Sequence, residues 1–305
     1  MRLPHVMLSL LCAPILLACS GQQYNLPAVT AAVNGALMPG KIIWHALLTS
    51  TPAQTQAFYG GQFGWAFEPM PEGVNYTLIR HGGNLIGGMV DSTRLPRKPE
   101  RSQWVVGLSV TDIGDQVDVV RAGGGEVFTE PTSLGERGRI AVVADPGMAL
   151  LALLETSSGD PVDSDQTPAT GDFLWHELWT ADVEQISRFY RGIAPLVEEK
   201  FAAEGATAEV DYRLLSAHGR PRFGVRSLPD AGMSAAWVSY LRVADEAELA
   251  SLLARVEKLG GRVLVPATPR PLGGSVAVIA GPSGAGIALQ TWPNDGGQNE
   301  EEEAE

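Results

Sequence analysis

The chain has 305 residues, of which 45% are hydrophobic and 19% are charged, and its formal net charge is −13 at pH 7. This apolar content is enough to build hydrophobic cores and too high for a disordered chain, and the length predicts two domains. The negative charge argues against a nucleic-acid partner, because binding a phosphate backbone requires a surplus of lysine and arginine.

The N-terminus has the pattern of an export signal. After Arg2, an apolar stretch runs from Val6 to Ala18 and is too short to span a bilayer, so residues 1–18 are predicted to be a cleaved signal peptide. Both cysteines, Cys12 and Cys19, lie in the first twenty residues. The rest of the chain therefore has no disulfide framework and no zinc-binding cysteines.

The end of this segment, Leu16-Leu17-Ala18-Cys19, resembles a bacterial lipobox. The resemblance implies that Cys19 becomes an acylated N-terminal residue that anchors the chain in a membrane. By the same sorting rules, the uncharged Ser20 favours the outer membrane, with the protein facing the periplasm. An inner-membrane anchor and an ordinary signal peptide stay open as alternatives. Residues 19–40 lack a sustained period and are predicted to form a lipidated tether.

The remaining chain contains an internal repeat. Trp44-His45 recurs as Trp175-His176, and Phe58-Tyr59 recurs as Phe189-Tyr190, both 131 residues later. Each half divides again, because the segment that begins at Trp104 matches the segment that begins at Trp44. The chain is therefore predicted to contain four related modules.

The repeat defines the predicted boundaries. The first domain covers residues 41–155 and the second covers residues 173–293, and a linker rich in Ser, Asp, Pro and Thr occupies residues 156–172. Residues 294–305 contain six carboxylates and no large apolar residue, which predicts an acidic disordered tail.

The first module shows the local pattern that the others repeat. Ile42 to Leu48 is an apolar run rich in β-forming residues, and Pro52 marks the first turn of a helix. Phe63-Gly64-Trp65 ends that helix, and short strands are predicted at residues 76–79 and 85–90. The predicted order is βαβββ, which makes the fold class α+β.

Four βαβββ modules with these Trp-His openings resemble the vicinal oxygen chelate superfamily, which includes glyoxalase I, extradiol dioxygenases and bleomycin-resistance proteins. The turn-forming motifs Ala144-Asp145-Pro146-Gly147 and Gly281-Pro282-Ser283-Gly284-Ala285 add to the resemblance. It extends over residues 41–292 and is strongest to the two-domain glyoxalase-related branch. It implies four modules paired into two glyoxalase-like domains.

The resemblance also implies positions for metal ligands, because enzymes of the superfamily place His or Glu on the first and last strands of each module. His45 and His176 match one such position in each half. By alignment, the other positions hold residues that cannot ligate a metal. They are Gly87, Val105 and Ala152 in the first half, and Gly224 (or Phe223), Val238 and Ala288 in the second half. Both halves therefore resemble metal-free binding members more than metalloenzymes, and no cofactor is expected.

A ligand site is predicted on the concave face of the second half. If His45 and His176 point inward, strand alternation sends Glu177 to the opposite face and gives the second concave face several arginines. Guanidinium groups there suit a polar or anionic small molecule. The predicted ligand-binding residues are His45, His176, Arg222, Tyr240, Arg242 and Gln290, with Arg226 on the same face. The open alternatives are that the arginines pair with carboxylates at the rim and that the histidines are core residues.

Three functions follow. The preferred interpretation is a membrane-anchored protein that binds a small, polar or anionic molecule without a metal, and no catalytic residue is predicted for it. The second is a divalent-metal-dependent lyase or dioxygenase, which would require misplaced ligands or a site shared between the halves. The third is a non-catalytic, partner-binding envelope lipoprotein whose concave faces are filled by side chains. Because duplication supplies paired modules within one chain, a monomer is expected.

Overall fold

The computed structural model describes residues 24–31, 34–99, 101–200, 211–270 and 273–292. The predicted signal peptide, Cys19 and the acidic tail lie outside these ranges. Within the described residues, sixteen β-strands and four α-helices form two sheets of eight strands each. The two sheets correspond to the two halves of the sequence repeat.

The first half has two βαβββ modules in succession. Its elements are β1 (Ile42–Thr49), α1 (Pro52–Phe63), β2 (Ala66–Pro69), β3 (Thr77–His81), β4 (Asn84–Asp91), β5 (Gln103–Ser109), α2 (Ile113–Ala122), β6 (Glu126–Ser133), β7 (Arg139–Ala144) and β8 (Leu150–Glu155). The strands lie in the order β2-β3-β4-β1-β5-β8-β7-β6. The predicted βαβββ order is confirmed.

The second half repeats the arrangement. Its elements are β9 (Phe173–Thr180), α3 (Val183–Ile193), β10 (Val197–Lys200), β11 (Tyr212–Ala217), β12 (Arg220–Ser227), β13 (Ala236–Val243), α4 (Glu246–Val256), β14 (Arg262–Pro269), β15 (Ser275–Ala280) and β16 (Gly286–Thr291). The strand order is β10-β11-β12-β9-β13-β16-β15-β14, the same permutation as in the first sheet.

Local sequence explains where the helices begin and end. Asp112, Asp182 and Asp245 precede α2, α3 and α4, and the side chain of each accepts a hydrogen bond from a backbone N–H of the first helical turn. Helix α1 begins at Pro52 and ends at Gly64, whose left-handed φ of 71° allows its N–H to bond the Gly60 carbonyl.

The hydrophobic core lies between the two sheets and joins the halves. One buried cluster brings α2 together with α3, and another brings α1 together with α4. The helices therefore cover one face of each sheet, which we call its inner face. The opposite faces, which carry Trp44 and Ala46 in the first domain and Trp175 and Trp179 in the second, are called the first and second outer faces.

The first outer face is covered by a segment of the predicted tether. Leu26 and Val29 are buried there, and the backbone N–H of Leu26 bonds the Leu134 carbonyl. Arg137 stacks on the Trp44 ring at 3.9 Å and donates from Nε to the Pro27 carbonyl at 3.0 Å. Part of the predicted tether thus packs on the domain, because its apolar residues match an apolar face and its backbone groups find partners.

The linker is also fixed in place, although its composition predicted a loose stretch. The buried carboxylate of Asp160 accepts hydrogen bonds from Ser109 Oγ at 2.5 Å and Thr156 Oγ1 at 2.8 Å. Asp163 makes a two-point contact with Arg222, which holds the pKa of Asp163 well below its usual range. Buried and charge-assisted hydrogen bonds therefore hold the linker against both domains.

Candidate functional site

The histidines of the two Trp-His motifs contact each other on the inner faces. His45 Nε2 lies 2.8 Å from His176 Nε2, although the two residues are 131 positions apart. Their neighbours Trp44 and Trp175 lie on the outer faces. The prediction that both histidines lie on the concave faces, away from the helices, is wrong, because side chains alternate along a strand and a one-residue error reverses every face.

The hydrogen bonds of this pair define its protonation state. His45 Nδ1 lies 3.1 Å from the Ile86 carbonyl, which can only accept, so Nδ1 carries the proton and Nε2 of His45 accepts from His176. Burial lowers the pKa of His45 to about 4. The pKa of His176 lies well below its usual range, mainly because of burial and to a smaller extent because of electrostatic repulsion from His45. The pair is a neutral contact between the domains.

We expect this pair to make stability fall with acid. Because the folded pKa of His45 is about 4 and its ordinary value is 6.5, the unfolded chain binds the proton more tightly between these values. The contribution of the pair is complete above pH 6.5 and is lost as the pH falls toward 4, with a slope of at most about 1.4 kcal/mol per pH unit for each proton. Urea unfolding of the H45N variant across pH 4–7 is expected to show a flatter dependence than the parent chain.

A second buried group titrates in the opposite direction and serves as the control. Burial raises the pKa of Asp145, whose carboxylate accepts from Tyr190 Oη at 3.2 Å, to about 6. Its contribution is complete below pH 3.8 and is lost as the pH rises through 6. D145N is therefore expected to steepen the dependence on pH, and an unchanged slope in H45N would contradict the assignment to the histidine pair.

A buried carboxylate forms the centre of the second outer face. Glu177 on β9 is completely buried. Its Oε2 accepts a hydrogen bond from Trp179 Nε1 at 3.0 Å and a very short one from Tyr240 Oη. Two guanidinium groups reach the same carboxylate, with Arg226 Nη1 3.8 Å from Oε2 and Arg270 Nη2 3.5 Å from Oε1. We call these five residues the Glu177 cluster.

Aromatic side chains surround the cluster and limit its access to water. The guanidinium of Arg226 lies 5.4 Å from the Trp179 ring centroid, and that of Arg270 lies 5.6 Å from the Tyr240 centroid. The pKa of Tyr240 lies well above its usual range, mainly because of burial and to a smaller extent because of the negative charge of Glu177. The same two causes raise the pKa of Tyr212. Both phenols therefore stay protonated and can donate to the carboxylate.

Two atoms of the cluster have unused hydrogen-bonding capacity. Glu177 Oε1 and Arg226 Nε are buried and have no hydrogen-bond partner within the described ranges of the chain. Among the described residues, Glu177 supplies the ion-pair partner of both Arg226 and Arg270. The cluster thus contains two cationic groups for one carboxylate. Such an arrangement can bind an additional anion.

Tyr240 and Gln290 lie at this cluster. Gln290 Oε1 accepts from Arg270 Nη1 at 2.5 Å. Arg222 and Arg242, predicted beside them, have other partners. Arg222 pairs with Asp163, and Arg242 donates from Nε to the Trp292 carbonyl at 2.9 Å and from Nη1 to Thr170 Oγ1 at 3.0 Å.

Sequence reasoning missed Glu177, Trp179, Tyr212 and Arg270 as site residues. The assignment of Glu177 to the helix side is wrong, because it shares the outer face with Trp175 and Trp179. The alternation of Trp175, Glu177 and Trp179 was the available signal, since residues two apart share a face.

Among the residues that the structure describes, those on the outer faces do not provide the donor set of a divalent metal ion. Glu177 pairs with Gly224 and Val238, and Tyr240 pairs with Ala288, so the ligand positions around the carboxylate hold residues without metal-binding atoms. In the first domain Ala46 takes the place of Glu177. The predicted ligand position Gly87 is off by one residue, since the partner of Ala46 is Gly88.

The glycines at these positions are required by their neighbours. A Cβ atom at Gly224 would overlap the Tyr212 hydroxyl, and one at Gly88 would overlap the Tyr76 hydroxyl. A His or Glu at either glycine would therefore require the tyrosine to move. Among the described residues, no group of three or more His, Cys, Asp or Glu side chains could hold a metal ion.

Comparison with known proteins gives relatives in sequence, although no family model matches the chain. The Mycobacterium tuberculosis protein CFP32, whose name assigns it provisionally to the glyoxylases, is 27% identical over 247 residues, which cover 79% of this chain and 91% of that protein. The anthracycline biosynthesis protein DauV of Streptomyces sp. strain C5 is 28% identical over 265 residues, which cover 82% of this chain and 93% of that protein.

Solved structures share the architecture at lower identity. A Mn(II)-bound glyoxalase from Novosphingobium aromaticivorans aligns with a TM-score of 0.57 at 12% identity, covering 84% of this chain and 83% of that one. The halotolerant catechol dioxygenase BphC aligns with a TM-score of 0.56 at 15% identity, covering 84% of this chain and 88% of that one. At this identity the likeness concerns the fold.

Proposed function

This chain has the vicinal oxygen chelate fold, with four βαβββ modules paired into two glyoxalase-like domains, and on that premise we propose that it is a membrane-anchored protein that binds a small anionic molecule without a metal ion. The binding site is the Glu177 cluster on the second outer face. The observation that carries this proposal is the presence there of two guanidinium groups against one carboxylate.

The chemistry of the cluster favours a carboxylate ligand. A guanidinium offers paired N–H donors that match the two oxygens of a carboxylate. The side chains of Arg226 and Arg270 are 24% and 25% exposed, so a ligand can reach them from solvent. The rings of Trp179 and Tyr240 add a flat apolar surface beside the charges.

The first outer face is not expected to bind the same ligand. It has Ala46 where the second has Glu177, and Leu26 and Val29 cover it. Arg137 on this face is 2% exposed and its guanidinium donates to the Pro27 carbonyl and the Tyr76 hydroxyl, so a ligand in solvent does not reach it. We therefore expect one ligand per chain despite the sequence repeat.

The test is calorimetric titration of the chain from Ser20 to Glu305 with benzoate, which carries a carboxylate on an aromatic ring. We expect one binding site and at least a tenfold loss of affinity in the double variant R226Q/R270Q, since buried charge-assisted hydrogen bonds contribute about 1.5 kcal/mol or more each. The control R121Q/R188Q removes the same charge from exposed positions in α2 and α3. Equal affinities in the two double variants would contradict the proposed site.

The same protein tests the metal-free part of the proposal. Addition of Mn²⁺ or Fe²⁺ is expected to leave benzoate affinity unchanged. Stoichiometric, tight uptake of either ion by chelator-free protein would instead support the alternative of a metal-dependent lyase or dioxygenase.

For the localisation, we propose a lipid anchor at Cys19 in the outer membrane, facing the periplasm. In the segment that packs on the first outer face, the first residue with a contact to the domain is Asn25, whose side chain accepts from the Glu136 N–H, so the five residues 20–24 that connect it to the anchor span at most about 18 Å. This would place the first domain close to the lipid surface. In the described part of the chain, no helix is long and apolar enough to cross a membrane.

C19S is expected to shift the protein from the membrane fraction to the soluble envelope fraction, and an unchanged distribution would contradict the anchor.

Two observations favour a partner-binding lipoprotein as the second candidate. The first outer face is filled by the chain itself, and the edge strand β14 exposes Val263, Leu264 and Val265. Exposed apolar residues in a row on an edge strand are typical of a surface that another chain covers. Absence of anion binding in the titration above would favour this candidate.

A further inference from the structure

We propose that the C-terminal segment 293–305, which consists of Pro293 and the acidic tail, binds within the same chain at the Glu177 cluster and competes with the ligand there. This inference rests on the proposed anion site and identifies an internal regulator of it.

The last described residues place the start of the tail beside the cluster. Gln290 on β16 accepts a hydrogen bond from Arg270, a member of the cluster. Two residues later, the Trp292 carbonyl accepts from Arg242 Nε at 2.9 Å, and the Trp292 N–H bonds the Val243 carbonyl. The chain is thus held by strand β13 up to the residue before segment 293–305.

The tail has the charge and the length to reach the cluster. It carries six carboxylates and no Lys or Arg, namely at Asp295, Glu300, Glu301, Glu302, Glu303 and Glu305. The thirteen residues 293–305 span at most about 45 Å, several times the distance covered by the two residues from Gln290 to Trp292. A tethered segment of this kind has an effective concentration in the millimolar range, so even a weak contact would be populated.

The cluster has the complementary charge. Arg226 and Arg270 share the single carboxylate of Glu177, and Arg226 Nε has no hydrogen-bond partner. The completely buried Glu177 also leaves Oε1 without a hydrogen bond, which indicates a polar site whose contacts are incomplete. Binding of one tail carboxylate to the two guanidinium groups would bring the net charge of the cluster to zero.

The first outer face gives a precedent within the molecule. There, residues near the N-terminus cover the sheet, and an arginine that stacks on the Trp44 ring donates to the carbonyl of Pro27. The chain therefore already uses one of its terminal regions to cover one outer face. The tail provides the equivalent occupant for the second face, with carboxylates in place of a backbone carbonyl.

The experiment compares the chain from Ser20 to Glu305 with a variant of the same length in which the six tail acids are replaced by amides (D295N, E300Q, E301Q, E302Q, E303Q and E305Q). Benzoate is the probe ligand. If the tail competes, benzoate is expected to bind about three- to tenfold more tightly to the amide variant at low salt, and the difference is expected to shrink in 0.5 M NaCl.

A synthetic peptide of residues 293–305 tests the contact directly. It is expected to bind the amide variant, whereas a peptide with the same six replacements is not, and R226Q/R270Q in the amide variant is expected to abolish binding. Equal benzoate affinity in both chains, with no binding of the acidic peptide, would overturn the tail contact and leave the anion site in place. Binding of the peptide without binding of benzoate would support the tail contact and overturn the small-molecule proposal.

Discussion

Replacing Glu177 with alanine is expected to lower the free energy of unfolding by about 3 kcal/mol, because removing one member of a buried ion pair leaves its partners uncompensated. Glu177 is completely buried and holds Arg226, Arg270, Trp179 and Tyr240 together. We place the loss at the lower end of the usual range because both arginines retain some contact with water. The measurement is urea unfolding at pH 7.

Two controls separate the charge from the shape of the side chain. E177Q keeps an acceptor for Trp179 and Tyr240, so it is expected to cost less than E177A. E184A removes a carboxylate from an exposed pair with Arg188 on α3 and is expected to cost at most about 0.5 kcal/mol. Equal losses in E177A and E184A would show that the cluster does not depend on its central carboxylate.

The variant G224A is expected to cost about 3 kcal/mol, the upper end for overpacking a well-filled site. The added Cβ would overlap the Tyr212 hydroxyl, which accepts a hydrogen bond from Trp175 Nε1 at 3.2 Å. The tyrosine must therefore move, and its contact with Trp175 is lost. Thermal or urea unfolding measures the change.

A matched glycine provides the control for this variant. At Gly192 in α3, an added methyl would make only an ordinary contact with Val119, so G192A is expected to be neutral or stabilising because alanine favours helix. The loss in G224A is also expected to shrink when Tyr212 is replaced with alanine. An undiminished loss in G224A/Y212A would contradict the steric explanation.

The two domains keep the same arrangement around these glycines and differ at one decisive position. Trp44, Tyr76 and Gly88 in the first domain have the same contacts as Trp175, Tyr212 and Gly224 in the second. At the centre, however, the first domain has Ala46 and the second has Glu177. The two domains therefore share the packing of the outer face, whereas the carboxylate that pairs with two arginines, Glu177, is in the second domain.

Part of the candidate site could be predicted from the sequence, but its central residue, Glu177, could not. Tyr240 and Gln290 were predicted as ligand-binding residues and lie at the cluster, whereas Glu177 was assigned to the wrong face. The alternation of Trp175, Glu177 and Trp179 shows which residues share a face, but both faces carry large apolar residues, so it gives no indication of which face meets the helices. Both histidines were therefore predicted on the concave faces, whereas they lie on the inner faces, where they contact each other between the domains.

The sequence by itself determined the module order and the duplication, because these properties depend on local patterns and on the repeat. Only the tertiary structure decided which face of each strand is covered, and which partner each charged group meets. Arg222 pairs with Asp163 in the linker, and Arg270 reaches a carboxylate more than ninety residues away in the chain. Such pairings depend on how sheets and linker pack in three dimensions, and the packing of an apolar strand carries no local signal for them.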